Sequence, residues 1–225
     1  MLQHFDTEKI QPCNYSFSVF NLDEAVRFAS TFISVALETA QDIAQRFTKN
    51  GDVDLMRGIA SVIDQEREQE RFYQMLQEKI PNELLFLTTS VQDFVFTAIQ
   101  RFIIPGSCSD QQYIDLQTFK SLDLLSTPAA ETATVKFSYE LHPVYSQNQT
   151  LSAVYINQQN LPIVEPIMID SVEGRIVTAK ALFPYNQNDM NGLTILSLTN
   201  STGPFQNAEA VANATVFRPA FIIVN

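Results

Sequence analysis

The stretch that decides the fold is residues 22–50, LDEAVRFASTFISVALETAQDIAQRFTKN, followed by Gly51-Asp52. Its large apolar residues recur at helical spacing and predict an amphipathic helix from about Leu22 to Phe47: Val26, Ala29, Phe32, Ile33, Ala36, Ala40, Ile43 and Phe47. A second apolar run, from about Val53 to Ile80, repeats the pattern, and the short link predicts an antiparallel helical hairpin. Because two helices cannot enclose a core, a third element, a second copy of the chain or a missing N-terminal segment must complete the bundle.

The ends of these helices carry recognisable signals. Asn21 is the expected N-cap of the first helix, with Asp23 and Glu24 in its first turn, and Lys49-Asn50-Gly51 is the expected C-terminus. The second helix should end before Pro81. A third helix is predicted from Ser90 to Phe102, where Pro105-Gly106 stops it.

After Ser126-Thr127-Pro128 the apolar pattern becomes alternating and β-branched, which is typical of strands. The predicted strands are Val135–Leu141, Ala153–Asn157, Ile163–Ile169, Arg175–Leu182, Leu193–Leu198 and Thr215–Val224. Pro219 places the last of them at a sheet edge or a bulge. This number of short strands is typical of an antiparallel β-sandwich of the immunoglobulin or fibronectin type. We therefore predict a two-domain α+β chain, with a tail over 1–10, a helical domain over 11–125 and a β-sandwich over 126–225.

The composition excludes some classes of function. The chain has 225 residues and a formal net charge of −11. Because it has no cluster of Lys and Arg, a nucleic-acid partner is not expected. No apolar run approaches the ~20 residues that cross a bilayer, so no membrane span is expected.

Several features point to an extracellular or cell-wall protein. Four sequons for N-linked glycosylation occur, which is more than we expect by chance in this composition: Asn14, Asn148, Asn200 and Asn213. Cys13 and Cys108 flank the helical region; they are either two free thiols or, as we favour, a disulfide contributing roughly 3–5 kcal/mol to stability. The first residues, Met1–Asp6, do not form a signal peptide, so a lost leader or a truncated gene model would reconcile these signs.

The segment richest in candidate metal-binding side chains is residues 64–73, DQEREQERFY, on the second helix. The apolar stripe continues into Glu66 and Gln69, which should point into the bundle as the metal-ligand positions of a Glu-x-x-His pair in which Gln replaces His. Glutamine is a much poorer ligand for iron or manganese than imidazole, so no cofactor is expected. The alternative is an iron or manganese site. Glu38 and Asp42 on the first helix are expected to be solvated.

The β-region offers weaker candidates. Asp189 with Asn186, Asn188 and Asn191 forms an oxygen-rich loop that could bind Ca²⁺ or serve simply as a turn. A carbohydrate-binding face is conceivable from aromatic residues that would otherwise be core: Phe137, Tyr139, Tyr145 and Tyr155. No phosphate-binding loop, nucleophile elbow or zinc spacing is found in the sequence.

Two cysteine-containing segments carry a family resemblance: Gln11-Pro12-Cys13-Asn14-Tyr15-Ser16-Phe17 and Phe102-Ile103-Ile104-Pro105-Gly106-Ser107-Cys108. With the helical hairpin between them, the chain resembles the fungal ferritin-like family of stress-response, sexual-development and desiccation-related proteins. That resemblance implies a ferritin-like bundle and, in many fungal members, a C-terminal β-domain. The family's first two bundle helices are absent here, and its Glu-x-x-His is replaced by Glu66-Arg67-Glu68-Gln69.

The leading prediction is a non-catalytic, secreted or cell-wall-associated structural or stress protein, with half of a ferritin-like bundle, that dimerises through residues 22–80. One alternative is a di-iron or di-manganese carboxylate oxidase or ferroxidase that uses Glu66 from each subunit. Another is a glycan-binding or adhesion module, in which the β-domain binds cell-wall polysaccharide.

Overall fold

The structure is a computed structural model that describes residues 10–78, 86–141 and 150–224. Within these ranges the chain combines helices with antiparallel sheets. The helices are α1 Leu22–Asn50, α2 Met56–Leu76, α3 Gln92–Gln100, α4 Tyr185–Asn188 and α5 Ala208–Ala214, with 3₁₀ turns at Val53–Leu55 and Gln111–Tyr113. The strands are β1 Leu122–Leu124, β2 Ala133–Glu140, β3 Ser152–Asn157, β4 Ile163–Pro166, β5 Met168–Glu173, β6 Ile176–Phe183, β7 Gly192–Thr199 and β8 Thr215–Val224.

Helix α1 begins and ends at the predicted caps. The Asn21 side chain accepts a hydrogen bond from the Glu24 backbone N–H at 2.9 Å, and the Glu24 carboxylate accepts one from the Phe20 N–H at 3.0 Å. The first bond satisfies an N–H group that the first helical turn leaves free, and the second fixes the backbone just before the cap. At the other end Gly51 takes a left-handed φ of 83°, and its N–H bonds back to Phe47 and Thr48.

Helices α1 and α2 form the predicted antiparallel hairpin. Thr48 near the end of α1 contacts Met56 at the start of α2, and Ser34 contacts Glu70 further along both helices. The predicted end of the second helix, Ile80, lies outside the described residues. On its other sides α1 contacts α3, and α3 in turn contacts β8. The chain therefore supplies its own cover for much of α1.

The strands form two four-stranded antiparallel sheets with the orders β1-β2-β6-β5 and β4-β3-β7-β8. The predicted strand Ile163–Ile169 is in fact divided at Ile167, and its two parts, β4 and β5, belong to different sheets. Strand β8 is an edge strand whose register against β7 shifts, which confirms the expectation for Pro219. Neither β1 nor α5 was predicted from the sequence, because three and seven residues are too short for a clear period.

The buried side chains form two clusters. The larger draws on both sheets, with Phe137 and Phe183 from one and Tyr155 and Phe217 from the other. The smaller joins Phe94 of α3 and residues of α5 to strands β3 and β7. Helix α3 is therefore packed on the β-region, and β1, which lies before residue 126, pairs with β2. The domain boundary at 125/126 stays a prediction.

A disulfide joins Cys13 to Cys108, as we favoured from the sequence. The segments beside it are also hydrogen-bonded: the Ser16 N–H donates to the Phe102 carbonyl at 2.8 Å, and the Ile104 N–H to the Asn14 carbonyl at 2.9 Å. The N-terminal arm is thereby held against the chain that follows α3.

Candidate functional site

The candidate site lies between α1 and α2, where two carboxyl side chains come close together. Glu38 of α1 is only 5% exposed. Glu70 of α2 accepts a hydrogen bond from the Ser34 hydroxyl at 2.6 Å and one from the Gln74 amide at 3.3 Å. The Gln41 amide donates to Glu38 at 3.4 Å. The hydrogen bonds to the two carboxyls thus come from a hydroxyl and two amides, and Arg67 lies close enough for its charge to act on Glu38.

Burial and charge act together on Glu38. Burial, and after it the negative charge of Glu70, together raise the pKa of Glu38 to about 10, while Arg67 acts in the opposite direction. At neutral pH the Glu38 carboxyl is therefore protonated and uncharged. This is how a carboxyl group is tolerated at a nearly closed helix interface.

The expectation that Glu38 is solvated was wrong. Helix α1 is buried on more than one side in its middle, where Val35, Leu37 and Thr39 are also buried. A carboxyl beside the apolar stripe is then covered by a neighbouring element. The same expectation was wrong for Asp42, one turn later: its side chain is 11% exposed and pairs with Arg46 at 2.9 Å.

Glu66 and Gln69, the predicted metal-ligand positions, lie half-buried on α2. In the part of the chain that the structure describes, neither side chain makes a hydrogen bond or an ion pair. The carboxylate that contacts α1 is Glu70, one turn beyond Glu66, through its hydrogen bond from the Ser34 hydroxyl. Val62, an apolar residue of the second predicted run, is 46% exposed.

Two cavities meet at this pair. The first, of about 300 Å³, is lined by Glu38 and Arg67 and by the β7 residue Leu193. The second, of about 780 Å³, lies between α1, α2 and the end of β8. Ser34, Glu70 and Gln74 line both cavities. The hairpin therefore shields these polar groups only partly from the space beside the sheet.

A di-metal centre of the ferritin-like type needs four carboxylates and two imidazoles from four helices. Within residues 10–78, 86–141 and 150–224, no group of three or more His, Cys, Asp or Glu side chains is placed to hold a metal ion. Both histidines, His4 and His142, lie outside those ranges. Two carboxyls, one of them protonated, beside an arginine do not fit the ligand set of such a centre.

The aromatic residues proposed as a glycan-binding face lie elsewhere. Phe137, Tyr139 and Tyr155 are buried in the cluster between the sheets, where they cannot stack on a sugar; Tyr145 lies outside the described residues. In the oxygen-rich loop, the Asn191 side-chain oxygen accepts a hydrogen bond from the Tyr185 hydroxyl, and the carbonyl of Asn188 accepts one from Asn160. These oxygens already have protein donors, as in a hydrogen-bonded turn.

The sequon asparagines are accessible where the structure describes them. Asn14, Asn200 and Asn213 are exposed, and Asn148 lies outside the described residues. In the described residues, no helix is both long and apolar enough to cross a membrane.

The fold and this site define an α+β protein with two antiparallel sheets, a disulfide and a polar carboxyl pair inside a helical hairpin. No protein-family model matches the chain. No curated protein matches it at a significant level.

Proposed function

We propose that this chain is a non-catalytic structural or stress protein, secreted or associated with the cell wall and of ferritin-like descent. The observation that carries the proposal is the carboxyl pair itself. In a di-metal bundle, carboxylates from facing helices bind the metal ions. Here the hydrogen-bond partners of Glu38 and Glu70 are instead Ser34, Gln41 and Gln74. In this interpretation the hairpin has kept its polar interior as a hydrogen-bonded network.

The architecture supports the descent. The antiparallel hairpin α1–α2 would be the second half of a ferritin-like bundle, with α3 as an extra helix. The shared cluster of buried residues from both sheets is what an immunoglobulin- or fibronectin-like β-sandwich requires. The disulfide between Cys13 and Cys108 joins the two segments that carry the family resemblance.

The disulfide and the exposed sequon asparagines support the extracellular location. Disulfides persist in oxidising compartments, and three sequon asparagines are exposed for glycosylation. Cell-wall association follows from the family resemblance, with polysaccharide as the proposed partner.

Dimerisation through the hairpin is part of the proposal. Because α3 covers one side of α1, we assign the interface to the exposed apolar side chains of α2. Val62, Phe72, Met75 and Leu76 are 46% to 62% exposed. Two copies of α2 packed about a two-fold axis would bury these side chains.

The test is metal content. We expect the full chain, purified from a secretory host without chelators and then loaded anaerobically with iron(II), to carry no stoichiometric iron or manganese by mass spectrometry. The variants Glu38→Gln and Glu66→Ala should behave like the wild type, as should Glu131→Gln, an exposed carboxylate in a turn far from the hairpin.

The second candidate is the di-iron or di-manganese oxidase or ferroxidase, which the approach of carboxyls from two neighbouring helices favours. Near-stoichiometric metal that is lost in Glu66→Ala or Glu38→Gln and kept in Glu131→Gln would establish it and overturn the non-catalytic proposal.

A further inference from the structure

A third groove lies beside α1 at Thr31, a residue that, like Phe221 of β8, also lines the cavity of about 780 Å³. It has a volume of about 310 Å³ and opens between α1, α3, β1 and β8. Small-molecule sites begin at about this size, roughly 300 Å³. Most of its lining is apolar: Ala98, Leu122, Leu124, Pro219, Ala220 and Phe221. The groove therefore offers a surface of mixed polar and apolar character, with an apolar wall beside charged groups, at a junction of four elements.

Two arginines stand at this groove with a single carboxylate between them. Arg218 of β8 places its guanidinium 3.3 Å from Asp123 of β1. The Arg218 side chain is 17% exposed, whereas Asp123 is 64% exposed. The positive charge is therefore held largely inside the groove, and its partner lies mostly in solvent, where the ion pair is weak.

Arg101, at the end of α3, brings the second guanidinium. Its Cζ atom lies 4.6 Å from the centroid of the Phe102 ring. In the described parts of the chain this guanidinium makes no hydrogen bond or ion pair. Stacking on a ring occupies one flat face and leaves the N–H edge free, which is the edge that binds a carboxylate in bidentate fashion.

The electrostatics of the pair agree with the geometry. Partial burial and the neighbouring Arg218 both lower the pKa of Arg101, and Asp123 acts in the opposite direction. Two guanidiniums close enough to repel each other share one exposed carboxylate. An added anion between them would relieve that repulsion. This local positive charge contrasts with the net charge of −11 of the whole chain.

We infer that this groove binds a small amphipathic carboxylate, a medium-chain fatty-acid-like anion, with its head group between Arg101 and Arg218 and its hydrocarbon chain along the apolar wall. The paired guanidiniums would bind the carboxylate head group, and the apolar wall of the groove would bind the hydrocarbon chain of the ligand. An inorganic anion would use only the first feature and a neutral alcohol only the second.

The experiment is a calorimetric titration of the full chain with octanoate, using butanoate, octanol and inorganic phosphate as comparison ligands. We expect one octanoate per chain, bound about tenfold or more tightly than any of the three others, because each lacks either the chain or the head group. Phosphate binding as tightly as octanoate would overturn the inference, as would octanol binding equally well.

Matched variants locate the site. Arg101→Gln should weaken octanoate binding by about tenfold, the loss expected for one charge-assisted contact. Asp123→Asn should strengthen it, because the competing carboxylate is removed. Arg57→Gln, an exposed arginine on α2, should leave the affinity unchanged. Equal affinities in the wild type, Arg101→Gln and Asp123→Asn, or no octanoate binding at millimolar concentration, would contradict the inference.

Discussion

At the scale of the residue, the most unusual group is the protonated carboxyl of Glu38. A buried carboxyl must find a cation, a metal or a proton, and here its burial, together with the charge of Glu70, favours the proton. The hydrogen-bonding residues Ser34, Gln41 and Gln74 then complete a polar network inside the hairpin. Burying this network has a low cost in folding free energy as long as Glu38 stays protonated.

This gives the stability of the protein a definite pH dependence. The unfolded chain releases the Glu38 proton near its ordinary pKa of 4.5, while the folded chain keeps it until about 10. Between these values the folded state binds the extra proton, so its free energy of unfolding falls as the pH rises, by up to about 1.4 kcal/mol per pH unit. We expect Glu38→Gln to flatten this dependence and to be more stable than the wild type at pH 8, with little difference at pH 4.

Urea denaturation at pH 4, 6 and 8 measures the effect. Glu131→Gln should follow the wild type at each pH, because its side chain is exposed in both states. If the free energy of unfolding changed with pH equally in Glu38→Gln and in the wild type, Glu38 would be ionised in the folded protein.

At the scale of the element, the N-terminal arm is the feature that links distant parts of the helical region. The disulfide spans a sequence separation of 95 residues, and Tyr15 forms a bridge with Ile103 beside it. Around this bridge Phe17 lies 5.1 Å from Phe28 of α1 and 5.2 Å from Phe102, measured between ring centroids. The arm thus ties the start of α1 to the chain after α3.

We expect the double variant Cys13→Ser/Cys108→Ser to lose about 4 to 5 kcal/mol of unfolding free energy, because the open chain regains the entropy of a loop of that length. The measurement is urea denaturation by circular dichroism. Ser107→Ala is the control: it keeps the disulfide and removes the two hydrogen bonds of the Ser107 hydroxyl, one accepted from the Asn14 N–H and one donated to the Asn14 carbonyl. Each contributes about 1 kcal/mol. A double variant no less stable than Ser107→Ala would contradict the entropic role of the disulfide.

At the scale of the whole molecule, the exposed apolar side of α2 contrasts with the buried middle of α1. Helix α1 contacts both α2 and α3, so that Val35 and Leu37 are nearly inaccessible. Helix α2 instead exposes Phe72 at 56% and Met75 at 62%. A surface of this kind is typical of a site where another chain binds.

We expect sedimentation equilibrium of the deglycosylated chain to give twice the chain mass of 25.4 kDa. Phe72→Glu/Met75→Glu should give the single-chain mass, because a charged pair cannot be buried at the two-fold axis. Leu161→Glu, at a position that is 72% exposed and distant from the hairpin, should remain dimeric. A stable wild-type monomer at micromolar concentration would disprove the dimer.

By itself the sequence determined those features that depend on neighbours in the chain. The helical period, the Asn21 and Gly51 caps, the short link of the hairpin and the alternation of the longer strands are local, so the elements were predicted nearly in place. Cys13 and Cys108 were also paired correctly, because two cysteines allow only one intrachain disulfide.

Only the tertiary structure decided which side of each element is covered. Helix α2 and the end of β7 at Leu193 enclose Glu38, and Glu70 rather than Gln69 is the α2 side chain that bonds to the first helix. The same folding divided the strand at Ile167 between two sheets and placed Arg101 near Arg218. The burial of a side chain and its charge partners depend on elements that are far apart in the chain. The period of one helix or strand carries no information about those elements.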